Sequence, residues 1–266
     1  MKTFAEHKQW FMRYALSVQA HSVGKAAPFV LKRAHTFAVV RRAQRIAAAQ
    51  HFSPALTRAA WLAALYHDIA RFEQYSRWHT FKDSLSVNHG AYGALLLPAL
   101  GCLWEEDPAT QTRVIQAVRL HNAYTLPQNI TEDVRLITCC TRDADKLDIL
   151  RVMDKHFSHS SLDPTIVLSV ADEPEKYSPA IAQMALQGRF PDYQDLRYVN
   201  DFKLLLGTWL YDLTFPISRV MMAAEGHIAH ILASLPQEGI VQQARQSLLA
   251  AIAAQAAQAE GLPPHD

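Results

Sequence analysis

Six residues of metal-ligand type stand in an order that could bind and activate a divalent cation: His35, His67, Asp68, His89, His121 and Asp145. His67 and Asp68 are adjacent and close the apolar run from Ala59 to Tyr66. From His35 to His67 is 32 positions, and the steps on to His89, His121 and Asp145 are 22, 32 and 24. Each step is about the length of one helix and its connection, so successive helices can point these groups into one cavity. Four imidazoles and two carboxylates exceed what one metal with an open water position needs. They suit two metals sharing a bridging carboxylate.

The elements that must carry these ligands are helical. Ala, Leu, Arg and Gln dominate, only 9 glycines occur, and no segment alternates between apolar and polar residues, so the fold class is all-α. Helices are expected near 5–20 and 27–50, with His35 inside the second. Ser53-Pro54 supplies an N-cap hydroxyl and a first-turn proline for the helix that leads to His67, and Asp107-Pro108 repeats the device for the helix ending near His121. Ser86 is the expected cap of the helix carrying His89. A long helix opens at Asn129 or Thr131, with Glu132 and Asp133 in its first turn, and runs through about Phe157. The stretch from Asp163 to Pro191 reads as the least regular, and helices follow near 195–212, 217–234 and 239–258, before a frayed tail from Gly261 to Asp266. The whole is read as a single domain over 1–266, with a metal-binding core at about 25–160 and a C-terminal helical extension at about 195–258.

The order His35, His67-Asp68, Asp145 resembles the HD-domain superfamily of metal-dependent phosphohydrolases, and the added His89 and His121 resemble its binuclear, six-ligand subgroup. The segment from His67 to Gln74 is similar to the family's H-D-I-G-R-F stretch, with Ala70 where glycine is common and Arg71 where many relatives have lysine. Thr80-Phe81 through His89 resembles the loop and helix start that follow it, and Arg142 to Asp148 the A-D-K-[LI] segment around the last ligand. The likeness covers roughly residues 25–160. It implies an HD-type helical bundle holding two divalent transition-metal ions, Fe or Mn before Zn, Co or Ni, on His35, His67, Asp68, His89, His121 and Asp145. It further implies hydrolysis of a phosphoester or phosphoanhydride of a nucleotide or related small metabolite. Asp68 would bridge the ions, and the water between them would attack phosphorus. The same ligands serve the family's mixed-valent diiron oxygenases, which cleave a C–C or C–P bond, and that reading is the alternative. The His-His and G-Y-P signature of the cyclic-dinucleotide branch is absent, since Asn122 follows His121.

Around the ligands, Arg71 lies four residues past His67 and is a catalytic and substrate-binding candidate, a guanidinium that could clamp a phosphate; the plain alternative is an arginine bonding helix-end carbonyls. Lys82, beside Asp83, is a second phosphate candidate or half of a solvated charge pair. Arg142 and Asp148 flank Asp145 at spacings of three, so Arg142 is a third substrate candidate and Asp148 could orient a ligand or Arg142. His156/His159 and His227/His230 form two further pairs at i, i+3, read as exposed or partly packed unless Asp154 or Glu225 joins them.

Composition sets the outer limits. A net charge of +1 argues against a nucleic-acid polymer and for a small phosphorylated partner. There is no sign of a secretory leader or a span long enough for a bilayer, so no membrane partner is expected and a cytoplasmic location is the default. Cys102, Cys139 and Cys140 form no metal spacing and read as reduced core residues. No P-loop or dinucleotide glycine fingerprint appears. The Ala- and Gln-rich last helix leaves a homo-oligomer or a partner contact open, and a non-enzymatic scaffold is the third reading.

Overall fold

Prolines and short polar caps begin most of the helices, and the computed structural model, which describes residues 1–158 and 170–257, shows where each leads. In chain order these are α1 (Phe4–Ala20), α2 (Ala26–Ala49), α3 (Pro54–Tyr66), α4 (Ile69–Trp78), a 3-10 turn (Asp83–Leu85), α5 (His89–Leu100), α6 (Pro108–Leu120) and α7 (Glu132–Phe157). Then come α8 (Pro179–Leu186), a second 3-10 turn (Tyr193–Asp195), α9 (Val199–Asp212), α10 (Pro216–Glu225), α11 (His227–Ala233) and α12 (Gly239–Ala256). The fold is all-α. Among the described residues there is no strand, only a single parallel bridge between Ala171 and Tyr198. No described helix is long and apolar enough to cross a membrane. The 163–169 part of the stretch expected to be irregular, His159 and the tail from Gly261 lie outside the described residues.

The chain divides into two compact units, residues 1–148 and 149–266. In the first, α3 is the central element. Ala59, Ala60, Leu62, Ala63, Ala64, Leu65 and Tyr66 have no exposed surface, so from Ala59 onward this helix is apolar all round, as a core helix must be. Its alanines let α2 and α6 approach closely on its two sides. Phe72 of α4 packs edge-on to Phe11 of α1, with ring centroids 5.6 Å apart, and Phe29 of α2 meets Tyr75 at 5.3 Å. Each such side chain contributes about 1.5–3 kcal/mol when fully buried. A buried polar chain crosses this unit too: His7 bonds the Tyr66 hydroxyl (2.9 Å) and Glu106 (3.0 Å), and Arg58 grips the same carboxylate.

Caps explain the starts. Ser53 Oγ accepts from Leu56 N, Asp107 Oδ1 accepts from Thr110 N, and Thr131 Oγ1 accepts from Val134 N at the head of α7. The cap of α5 is Asn88, whose side chain accepts from Ala91 N, in place of the expected Ser86. Ser86 instead accepts from Gln74 and donates to the Lys82 carbonyl, which fixes the loop before α5.

In the second unit, Leu204, Leu205, Leu206, Trp209, Met221, Ile228, Leu232, Val241 and Leu248 form the core. Two expectations are corrected here. The stretch expected to be irregular up to Pro191 contains α8, whose first turn is Pro179 and whose buried face is Ile181, Ala182 and Ala185. The helix expected over 217–234 is two helices, because Gly226 adopts φ +73° and ends α10 before α11 begins. The fully buried carboxylate of Asp201 accepts from Ser178 N and Oγ and from Arg197 and Tyr198 N, tying the starts of α8 and α9 together.

All three cysteines are buried thiols. Burial pushes the Cys102 thiol up to about 12 and that of Cys140 higher still.

Candidate metal centre

The helix that carries His67 does not continue through it. His67 is the C-cap of α3, still in the αR region, and Asp68 has φ −101° and ψ 19° as the N-cap of α4. This break lets the two adjacent side chains face one cavity, which neighbours on an unbroken helix, some 100° apart, could not do as well. α2 delivers His35, the starts and ends of α5 and α6 deliver His89 and His121, and α7 delivers Asp145.

The six side chains converge as two groups, each with its ligand atoms within 4.8 Å of one another: His35, His67 and Asp145, and then Asp68, His89 and His121. Asp68 reaches both. Its Oδ2 lies 3.8 Å from His35 Nε2 and 3.6 Å from His67 Nε2. Its Oδ1 lies 3.6 Å from His89 Nε2 and 3.9 Å from His121 Nε2. Asp145 Oδ1 completes the first group, 2.9 Å from His35 Nε2 and 3.7 Å from His67 Nε2. Asp68 is 4% exposed and Asp145 20%, so the second carboxylate sits on the solvent side.

Each imidazole is held by its other nitrogen. His67 Nδ1–H donates to the Ala64 carbonyl (2.8 Å) and His121 Nδ1–H to the Val118 carbonyl (2.7 Å). Carbonyls only accept, so Nδ1 carries a proton in both rings, and Nε2, on the cavity side, is the atom left for a metal. His89 Nδ1 donates to Asp83 Oδ2 (2.6 Å) and His35 Nδ1 to Asp148 Oδ2 (2.6 Å). Asp148, wholly buried, also accepts from Arg42 (2.9 Å). Such outer partners fix tautomer and ring angle in metal sites.

Electrostatics follow from this packing. Burial disfavours the Asp68 carboxylate, but Lys32, His67, Arg71 and His89 hold it well below the usual carboxylate range. Asp145 is likewise pushed up by burial and pulled well down by His35 and His67. Burial, then His89 and His67, bring His121 down to about 3, and burial followed by Arg71 lowers His89. His35 goes the other way: burial opposes its charge, yet Asp145 and Asp148 raise it to about 9.

The residues fit a metal. His35 Nε2 and His67 Nε2 are buried without an aligned hydrogen bond, and His89 Nε2 meets His121 Nε2 at 3.0 Å. With each Nδ1 already engaged, these Nε2 atoms are the ones left to face a cation. Neutral imidazoles with carboxylates suit Fe, Mn, Co, Ni or Zn.

The remaining candidates occupy different places. Arg71 Nη1 donates to Gln74 Oε1 (2.7 Å), Asp83 Oδ1 (2.9 Å) and the Phe81 carbonyl, and its buried Nε lies 3.4 Å from Asp68 Oδ1. It thereby braces Asp83, the residue that orients His89. Arg142 gives its Nη1 to the carbonyls of His121 and Ala123, clamping the end of α6. Lys82 is exposed on the loop after α4. Asp148 orients a ligand, His35, and not Arg142. Sequence reasoning passed over Lys32, whose Nζ is 2.6 Å from Asp68 Oδ2 and 5.2 Å from the centre of the Phe81 ring. Its signal was present: it precedes His35 by three on α2, hence the same helix face. In the second unit, His227 and His230 both donate from Nδ1 to Asp154, so the carboxylate considered for that pair does join it.

Comparison with protein-family models, with curated proteins and with solved structures finds no match to this chain.

Proposed function

We propose that this chain is a binuclear metal-dependent phosphohydrolase of HD type, acting on a phosphoester or phosphoanhydride of a nucleotide or similar small metabolite. The observation that carries the reading is the division of Asp68, one oxygen toward His35 and His67 and the other toward His89 and His121. A carboxylate so placed is built to be shared. His35, His67 and Asp145 would hold one ion and His89 and His121 the other, with Asp68 common to both. Divalent ions held there would lower the pKa of water toward neutrality and offset charge on phosphoryl oxygens. The protein's own contribution is orientation. Asp83, Asp148 and the Ala64 and Val118 carbonyls lock the four rings, and Arg71, itself locked by Gln74 and Asp83, keeps a guanidinium beside Asp68. With Lys32 it places two cations beside Asp68, which favours an anionic substrate.

The test is metal content per chain after purification without added metal or chelator, followed by turnover of a panel of phosphomonoesters, nucleotides and cyclic nucleotides under air and under argon. About two equivalents and oxygen-independent release of phosphate support the reading. Turnover that needs iron and consumes oxygen overturns it in favour of a diiron oxygenase. Metal-free protein that hydrolyses nothing after reconstitution overturns both.

A further inference from the structure

Lys32 is the one cation at the centre with a single hydrogen-bonded partner among the described residues. Its Nζ sits 2.6 Å from Asp68 Oδ2, the oxygen that also faces His35 Nε2 and His67 Nε2. Arg71, on the other flank, is fixed by three acceptors. Both cations lie over the face of Phe81, Lys32 Nζ at 5.2 Å and the Arg71 guanidinium carbon at 5.7 Å from its centroid. Lys32 is 17% exposed, on a flexible four-carbon stem, so it can leave its partner by bond rotation alone.

We propose that Lys32 is a displaceable counter-ion: its ammonium and a divalent metal compete for Asp68 Oδ2, and the ammonium, once released, contacts an anionic oxygen of the substrate. The first half follows from charge and space. An ammonium hydrogen-bonded to Oδ2 occupies the approach that a metal on that oxygen needs, and two cations on one carboxylate oxygen repel in a partly buried site. The second half rests on the phosphohydrolase reading. A released Lys32 has the Phe81 face to slide along, and with Arg71 it brackets the open side of Asp68, a pairing that suits a phosphoryl group. Lys32 would thus be a substrate-binding residue whose availability depends on the metal being in place.

The experiment measures Mn²⁺ binding by competition with a chromophoric chelator, and then inorganic phosphate binding to the Mn²⁺-loaded protein by calorimetry. It compares wild type, Lys32→Met and Lys32→Arg, each checked for unchanged helical content. The expected result is that Lys32→Met binds Mn²⁺ about tenfold more tightly and phosphate about tenfold more weakly, while Lys32→Arg stays near wild type for the metal. Mn²⁺ affinity that is unchanged or lower in Lys32→Met overturns the competition. Tighter Mn²⁺ with unchanged phosphate binding overturns the substrate contact. Neither readout needs turnover, so a failure to find phosphoester hydrolysis would count against the proposed function and leave the competition to be decided by the Mn²⁺ data.

Discussion

His89 and His121 meet through their Nε2 atoms at 3.0 Å, while each Nδ1 is already committed, one to Asp83 Oδ2 and the other to the Val118 carbonyl. Burial lowers the pKa of both rings, His121 to about 3, which favours the neutral forms that bind a cation. His121→Ala should therefore lower bound metal from about two equivalents to about one. Elemental analysis with a thermal melt checks this. Retention of two equivalents would remove His121 from the ligand set.

Metal affinity should depend on pH through His35. Folded and without metal, His35 keeps its proton up to about 9, because Asp145 and Asp148 outweigh the effect of burial. A metal needs the neutral ring, so below that value each unit of pH lost should weaken binding by up to about tenfold. Stability of the metal-free protein runs in the opposite sense. The raised pKa stabilises the fold fully below the unfolded value of 6.5, and that contribution is lost as pH rises through about 9. Mn²⁺ titrations at several pH values, paired with melts of chelated protein, should show affinity rising while the metal-free Tm falls. A flat affinity profile between pH 6 and 9 would refute the assignment.

Asp148 accepts from His35 Nδ1 and so decides which His35 nitrogen is free. Asp148→Ala should weaken metal binding by about 10–100-fold, and Asp148→Asn, which can still accept from Nδ1–H, should do less harm. Equal binding in all three proteins would make Asp148 a purely structural partner of Arg42.

The close packing of α5 on the turn after α6 depends on one missing side chain. A Cβ at Gly90 would stand 2.3 Å from Asn122 Oδ1 and 3.0 Å from the Arg119 carbonyl. Gly90→Ala should cost about 1–3 kcal/mol and loosen the pairing of His89 with His121, read as a lower midpoint in urea together with a loss of metal. Unchanged stability would mean that the Asn122 side chain swings aside freely.

The order of His35, His67-Asp68, His89, His121 and Asp145 was legible because one-helix spacings bring such residues together whatever the details of packing. The helix starts at Ser53-Pro54 and Asp107-Pro108 were legible for a similar reason: a cap acts within three residues. What the sequence hid was long-range or depended on a single dihedral angle. The spacing of three from Asp145 marked Asp148 as able to orient a ligand, but nothing local says that the ligand is His35, 113 positions away, or that Arg42 shares the carboxylate. Asp83 reads as a loop charge until α4 and α5 bring it between Arg71 and His89. The break at Gly226 turned on a left-handed residue inside an otherwise helical pattern, and α8 is too short for periodicity to announce it.

The buried, high-pKa thiols carry a practical consequence. Electrophiles react with thiolate, and neither Cys102 nor Cys140 yields one near neutral pH, while Cys139 is enclosed as well. A maleimide dye should therefore label the native thiols slowly, and a cysteine introduced at an exposed position such as Leu95 should take up a fluorophore or spin label well ahead of them. The native chain thus offers a quiet background for single-point spectroscopy.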